Sequence, residues 1–475
     1  MSYCGYVVKV EHLRKHTNAD RLQIATFFGN DTIVDLSVKV GDMGIYFPVD
    51  GQLSERFCAV NNLVRRKDEN GNSIGGYMDP IKRNIKAIRL RGEKSDGLYL
   101  PLIALTDFCK ISDLSIGDTI DIINGEEICR KYIPKCVNLE SKNRIKAYKA
   151  KEVIAPTFYE HVDTAQLAYN LGAFKRGDYI QLTLKMHGTS GRTGYLPLVR
   201  HKQSLFDKLF HQPGKEYKEY GYITGTRRVV LTEDRKGGFY SSDEFRHEMA
   251  KKFEGKLHRG EVVYYEIVGY QGKTGQPIMA EVQNSKVKDP EFVKKYGNTT
   301  VFSYGCDPAG DYIAKQQGEM DNGEPIYIAP CCEIYVYRMT MVNEDGDVVE
   351  YSPDQIRDRC EQMGVKVVPE FCRFIIPDYI QLPDQVGSIQ ETNPGEYVVR
   401  EVEQFFDGPD PIGMHHIREG VVVRICNRSK FEVYKHKNFS FKVLEGIAKD
   451  EATAPDIEEA QEIIAEENKN YEMSL

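Results

Sequence analysis

The sequence has no tryptophan, no run of about 18 apolar residues and no Cys-x-x-Cys pair. The missing apolar run excludes a membrane-spanning helix of the usual length. The N-terminus, MSYCGYVVKVEHLRKH, has no basic segment followed by an apolar stretch and a small-residue cleavage site, so no secretory signal is expected. The eleven cysteines are scattered from Cys4 to Cys426. An odd, dispersed set argues for reduced thiols in a cytoplasm rather than a disulfide frame or a zinc ribbon. Cys331-Cys332 is the one adjacent pair, and buried structural thiols account for it better than a metal fragment. Positive charge is also short: the formal net charge is −8, so any attraction to nucleic acid must be local. There is no internal repeat and no low-complexity tract.

What is present belongs to an ordinary globular chain, 41% hydrophobic and 28% charged. A length of 475 residues implies two or three domains. Tyrosine is abundant, with 29 copies, enough for stacking platforms as well as packing. Basic residues gather between Arg130 and Lys151 (Lys131, Lys135, Lys142, Arg144, Lys146 and Lys149 among them), either as a solvated linker or as a phosphate-tracking surface.

Residues 1–110 read as all-β. GYVVKVEHL, LQIATFFG, IVDLSVKV, MGIYFPVD, IKAIRL and GLYLPL are short β-rich runs broken by Gly, Asp and Asn. Such a density of strands suits a small barrel of the OB type. Residues 111–150 read as a basic connecting segment and 151–446 as a mixed α+β domain. In that domain EVVYYEIVGY and EGVVVRIC are strands, while SDEFRHEMAKKFEG and SPDQIRDRCEQMG are helices that stop at glycine. The polar segments 201–220 and 271–300 read as insertions or mobile loops. Residues 447–475 read as an acidic tail, with one helix opening near Pro455.

Chemistry concentrates in QLTLKMHGTSGRTGY, where Lys185 ends an alternating strand and enters a small-residue turn. A lysine amine attacks a phosphate only when it can lose its proton, and the triphosphate needs cations around it. Three later segments supply matching groups. Glu266 lies in VVYYEIVGY, on the strand face opposite Tyr265 and Ile267. Glu419 opens EGVVVRI. Lys435 and Lys437 in YKHKNFSFK are two apart and share a strand face, a costly arrangement unless they meet an anion. Arg192, Arg227 and Arg228 are further cationic candidates.

KMHGTS, YYEIVGY, EGVVVR and KHKNFSFKV resemble motifs I, III, IV and V of the covalent nucleotidyltransferases, the superfamily of polynucleotide ligases and capping enzymes. His187 after the lysine, where DNA ligases and capping enzymes usually carry Asp, resembles the RNA ligases. HTNADRL resembles a phrase of OB domains that bind tRNA, and an OB domain ahead of the transferase resembles one RNA ligase family. The resemblance implies an α+β protein: an N-terminal OB-type β-barrel, then an ATP-grasp-like adenylyltransferase domain of antiparallel sheets with flanking helices. It implies an ATP-dependent RNA ligase for RNA repair, with ATP as cofactor, AMP held covalently, and Mg2+ or Mn2+. Lys185 would carry AMP. Lys435 and Lys437 would act on the α-phosphate, and His187, Gly188 and Arg192 would lie near phosphate and sugar. Glu266 and Glu419 would contact ribose or metal. Tyr335 or Tyr337 would stack on adenine, with Phe302 and Tyr304 as other candidates, and Val421 or Val422 would form the opposite wall. The implied partners are RNA 5′-phosphate and 3′-hydroxyl ends, with no membrane, for a cytoplasmic monomer. The other readings are a nick-sealing DNA ligase, a capping-type guanylyltransferase, or a non-catalytic RNA-binding protein on a degenerate transferase fold.

Overall fold

The computed structural model describes residues 3–67, 69–70, 73–132, 155–202, 215–231, 244–269, 271, 278–279, 294, 316–319, 325–327, 332–383, 389–391, 393–412 and 417–450. The architecture is mixed α+β, mostly sheet with few helices. Two compact units divide the chain. The first is Met1–Pro134 with Asn284–Asn298 and Phe439–Glu451; the second is Lys135–Gln283, Thr299–Asn438 and Ala452–Leu475.

In the first unit a four-stranded sheet pairs Leu98–Pro101, Met43–Phe47, Gly5–Lys9 and Thr119–Ile120 in that order. A three-stranded sheet joins Leu13–Lys15, Leu22–Phe27 and Asn30–Asp35. Alternation sends Val7, Ile45 and Phe47 inward against Leu53, Phe57, Leu105 and Ile128. The unit runs past the expected boundary at 110, because Thr119–Ile120 pairs with the first strand and Cys129–Lys131 pairs with Gly51–Leu53. The expected boundary at 446 also moves. The helix Phe439–Asp450 groups with this unit, burying Phe441 and Leu444 and placing Lys442 Nζ 2.5 Å from Asp96 Oδ2. The expected tail helix after Pro455 lies outside the described residues.

The second unit carries two sheets. The first joins β1 (Ala165–Gln166), β2 (Tyr179–Leu184), β7 (Glu370–Ile375), β8 (Gly420–Ile425) and β9 (Glu432–Lys437), in the order β1-β9-β8-β2-β7. The second is built on β3 (Thr189–Lys202), β4 (Lys215–Gly225), β5 (Glu261–Gly269) and β6 (Cys332–Val342), in the order β4-β3-β5-β6 with short strands beyond. The segment 201–220, expected as an insertion, is partly the long β3–β4 ladder, paired from Arg192↔Gly225 to Lys202↔Lys215. Residues 203–214 and most of 271–300 lie outside the described residues.

Among its described residues the second unit has the α-helices α1 (Glu244–Ala250), α2 (Pro353–Met363) and α3 (Pro394–Glu403). Ser352 and Gln355 form a capping box that starts α2, satisfying backbone donors that a helix end would leave bare. Phe245, Met249, Ile356 and Cys360 pack on Tyr265, Ile267 and Ile334 of the second sheet. Val398 and Val402 of α3 pack on Ile180, Leu182, Val421 and Val423 of the first. Cys332 is a buried core residue of this unit, and among the described residues no three His, Cys, Asp or Glu side chains form a metal-holding group. Among the described residues no helix is long and apolar enough to cross a membrane.

Candidate active site

The period of a strand decides which residues reach the site. On β2, Ile180 and Leu182 point into the α3 core, so Gln181, Thr183 and then Lys185 take the other face. On β8, Val421, Val423 and Ile425 enter the same core, which leaves Val422 and Arg424 on the face of Lys185. On β9, Lys435 and Val433 do the same. Across from them stand Ser190 of β3, Glu266 of β5 and Tyr337 of β6, and the space between is a cavity of about 170 Å³.

Lys185 sits just beyond β2, in the short crossing from the first sheet to the second. Its N–H donates to the Gly420 carbonyl at 3.0 Å, which holds the lysine turn against the start of β8. Lys185 Nζ lies 2.5 Å from Glu419 Oε1, and Lys437 Nζ lies 3.4 Å from the same oxygen. His187 Nδ1 is 3.9 Å from Glu419 Oε2. Glu419 is only 2% exposed, and among the described residues its Oε2 accepts no hydrogen bond. One buried carboxylate thus gathers Lys185, His187 and Lys437, three residues from two motifs.

Two glycines allow this crowding. A Cβ on Gly420 would lie 2.1 Å from the His436 carbonyl oxygen of β9. A Cβ on Gly188 would lie 2.4 Å from the Ile267 carbonyl oxygen and 2.9 Å from Glu266 Cγ. The Glu-Gly and His-Gly pairs are therefore required by close backbone approach, not by turn flexibility alone.

Glu266 lines the cavity while its neighbours Tyr265 and Ile267 are buried in the α1–α2 core, as their alternation requires. Of the two tyrosines, Tyr337 lines the cavity. Tyr335, 5% exposed, packs with Leu184, Met186, Val268 and Val368 instead. A β-bulge separates them: Tyr264 pairs with Arg338 and Tyr265 with Val336, so Tyr337 is the extra residue. Phe302 and Tyr304 lie outside the described residues. Val422, not Val421, meets the cavity, because Val421 has the parity of the core.

Arg192 is not among the cavity residues. It is 2% exposed, with Nε donating to Thr226 O at 3.0 Å, Nη1 to Phe158 O at 3.1 Å and to Tyr159 O, and its guanidinium lies 4.2 Å from the Phe158 ring centre. Burial lowers its pKa to about 10. It holds the segment entering the domain to β3 by caging carbonyls. Arg227 does line the cavity and pairs with Asp163 Oδ1 at 2.7 Å; Arg228 pairs with Asp163 Oδ2 at 3.3 Å.

Several residues of the site carry no motif. Arg246 of α1 is buried, with Nη1 donating to Ser190 O at 2.8 Å and Nη2 to Thr189 Oγ1 at 2.5 Å, which fixes the strand that follows the lysine turn. His161 lies against the rings of Tyr337 and Tyr264, with centroids 5.1 and 5.4 Å away. Burial, then the charge of Arg338, holds its imidazole well below the usual range, so it is neutral. Gln181, and Arg424 at the end of EGVVVR, are polar residues at cavity parity in mostly apolar strands, and that was the available signal.

No protein-family model matches the chain, and no curated protein matches it by sequence. Solved structures do match. A lysine-to-methionine mutant of Naegleria gruberi RNA ligase, with AMP and Mn, aligns at a TM-score of 0.51 and 16% identity over 92% of this chain and 97% of that one. An arginine-to-alanine mutant with ATP and Mn aligns at 0.52 and 16% identity, over 94% and 99%. A lysine-to-alanine mutant with ATP and Mn aligns at 0.51 and 15% identity, over 93% and 97%. Over nearly its whole length, this chain has the fold of those RNA ligase structures.

Proposed function

We propose that the chain is an ATP-dependent RNA ligase that works through AMP carried on Lys185. The observation that carries this reading is the 2.5 Å approach of Lys185 Nζ to the buried Glu419 carboxylate, in a molecule whose cavity also presents Glu266 and Lys435. Glu419 takes the proton that Lys185 must lose. Nζ then attacks the α-phosphorus of ATP, the N–P bond forms, and the P–O bond to pyrophosphate breaks. An oxygen of an RNA 5′-phosphate next attacks the same phosphorus, AMP moves to the RNA, and Lys185 recovers its proton. A 3′-hydroxyl oxygen finally attacks the activated 5′-phosphate, closes the phosphodiester and expels AMP.

In this reading Lys435 and Lys437 hold the α-phosphate and offset the charge that develops there. His187 and Gly188 keep the turn against Glu419 and Glu266, and Tyr337 and Val422 enclose the base. The buried Glu419 Oε2, which accepts no hydrogen bond among the described residues, is a suitable oxygen for a cation. Mg2+ or Mn2+ held by Glu419 or Glu266, with water and phosphate oxygens as the other ligands, fits a site of few protein carboxylates. Such an ion would offset triphosphate charge. The first unit is read as the OB-type domain that contacts RNA, and the role as RNA repair by a cytoplasmic monomer.

The test is incubation with α-labelled ATP or GTP and a divalent metal, followed by a denaturing gel. Label from ATP should remain on the wild type and be absent from Lys185→Ala. Label from GTP alone would support a guanylyltransferase, and no label from either would support a binding protein. A sealing assay on RNA and DNA strands, with and without a splint, then decides the polymer.

A further inference from the structure

The cavity has a polar end away from Lys185, on strands that are mostly apolar. Gln181 and Arg424 are direct partners across the β2–β8 ladder, both line the cavity, and they are 8% and 7% exposed. Gln181 Nε2 donates to Glu370 Oε2 at 2.5 Å. A carboxylate accepts, so the amide nitrogen is committed there and Gln181 Oε1 is the acceptor left for a ligand. Arg424 Nη2 donates to the Tyr351 carbonyl at 2.6 Å, and its guanidinium lies 5.2 Å from the Phe431 ring centre. Among the described residues its buried Nη1 has no hydrogen-bond partner and Arg424 forms no ion pair. A buried donor left unmade is costly and argues for a ligand acceptor at that place.

The position fits a nucleobase. Gln181 precedes Lys185 by four residues along the strand, roughly 13 Å at strand rise. That is about the reach of a nucleotide laid from a phosphate at Lys185 to a base edge. Resting on the reading of Lys185 as the nucleotide carrier, we infer that Gln181 and Arg424 read the edge of adenine. Gln181 Oε1 accepts from the 6-amino group, and Arg424 Nη1 donates to the adjacent ring nitrogen N1. Guanine offers an acceptor and a donor in the reverse order, but adds a 2-amino donor. The neighbouring Pro353, Ile356 and Phe431 side chains offer that group no acceptor.

The test compares ATP with purine riboside 5′-triphosphate, which lacks the 6-amino group, with 1-deaza-ATP, which lacks N1, and with GTP. Rates of adduct formation on the full chain are measured for the wild type, Gln181→Met and Arg424→Met. The wild type should favour ATP over each analogue by about 10-fold or more. Gln181→Met should label equally with ATP and purine riboside triphosphate while still discriminating against 1-deaza-ATP. Arg424→Met should show the converse. Equal wild-type rates with ATP and both analogues, faster labelling from GTP, or unchanged discrimination in both folded variants would overturn the inference. The wild-type comparison stands even if a variant fails to fold. Equilibrium dialysis of the same nucleotides against Lys185→Ala separates the two readings. Discriminating binding with no wild-type adduct would sink the role of Lys185 and leave the base-reading pair standing, whereas no nucleotide binding at all would sink both.

Discussion

Lys185 Nζ and Glu419 Oε1 lie 2.5 Å apart, although they come from opposite ends of the second unit's sequence. The pair forms because β2 and β8 are hydrogen-bonded neighbours, with Leu184 opposite Val421. Glu419→Gln keeps the shape and removes the proton acceptor. Adduct formation should fall by about 100-fold or more, measured as initial rate with labelled ATP. Lys185→Ala should abolish the adduct yet shift stability by only about 1 kcal/mol, because Lys437 still faces Glu419. Loss of cooperative unfolding in that variant would count against a chemical role.

Adjacent valines should separate binding from stability. Val421→Ala removes methyls from the α3 core and should cost about 2 kcal/mol in denaturant unfolding, with nucleotide affinity retained. Val422→Ala should weaken nucleotide binding at little stability cost, since Val422 lines the cavity. The reverse pattern would mean that the wall is assigned to the wrong residue.

Arg192→Met should behave as a structural change. It removes donors to three backbone carbonyls and leaves them buried, for a loss of about 3 kcal/mol or more in unfolding free energy. Nucleotide affinity of the folded fraction should stay near that of the wild type; a selective affinity loss would restore Arg192 to the site.

Glu261 predicts an acid response. Its carboxylate is fully buried; burial raises its pKa, but the Arg359 bonds at 2.9 and 2.7 Å, with those from His258 N and Tyr351, outweigh burial and leave it below the ordinary 4.5. A carboxylate depressed on folding contributes stability that is complete above its unfolded value and lost as pH falls through the folded one. Unfolding free energy should therefore drop as pH falls below about 4.5. Glu261→Gln should be less stable at neutral pH and show a shallower fall in that range. Parallel pH curves would refute the assignment.

Gly188→Ala should slow adduct formation strongly, because its Cβ would meet the Ile267 carbonyl at 2.4 Å and must displace the lysine turn. A stability loss of about 1–3 kcal/mol should accompany it in thermal unfolding.

Strand identity and parity made much of the site readable. Lys185, Glu266, Lys435 and Lys437 stand in or at the end of strong β patterns, and alternation assigns their faces; Glu419 has the parity of Val421 and meets Lys185 only because it stands outside β8, ahead of Gly420. Val421 and Val422 mark where this stops: consecutive apolar residues in a strand covered on both sides carry no polarity contrast to say which one meets the cavity. Tyr335 and Tyr337 share a parity in an unbroken strand, and the bulge that separates their surroundings depends on pairing with β5. Arg192 and Arg246 are both buried arginines beside the lysine turn, yet only contacts distant in sequence show that each serves backbone carbonyls. The edge of the first unit was hidden for a similar reason, since Thr119–Ile120 is too short a run to announce a strand without its partner.

The bulge in β6 has a consequence for chain length. Tyr337 is the surplus residue, so deleting it would give β5 and β6 an uninterrupted ladder. Ile334, Val336 and Met339 share the helix-covered face only because the extra position lies between them. A one-residue deletion upstream of the bulge would invert Ile334 and its neighbours, whereas deletion of Tyr337 itself would leave every core side chain on its present face. The domain would then become more regular while losing one wall of its cavity, a change that selection for folding alone would accept and selection for chemistry would not.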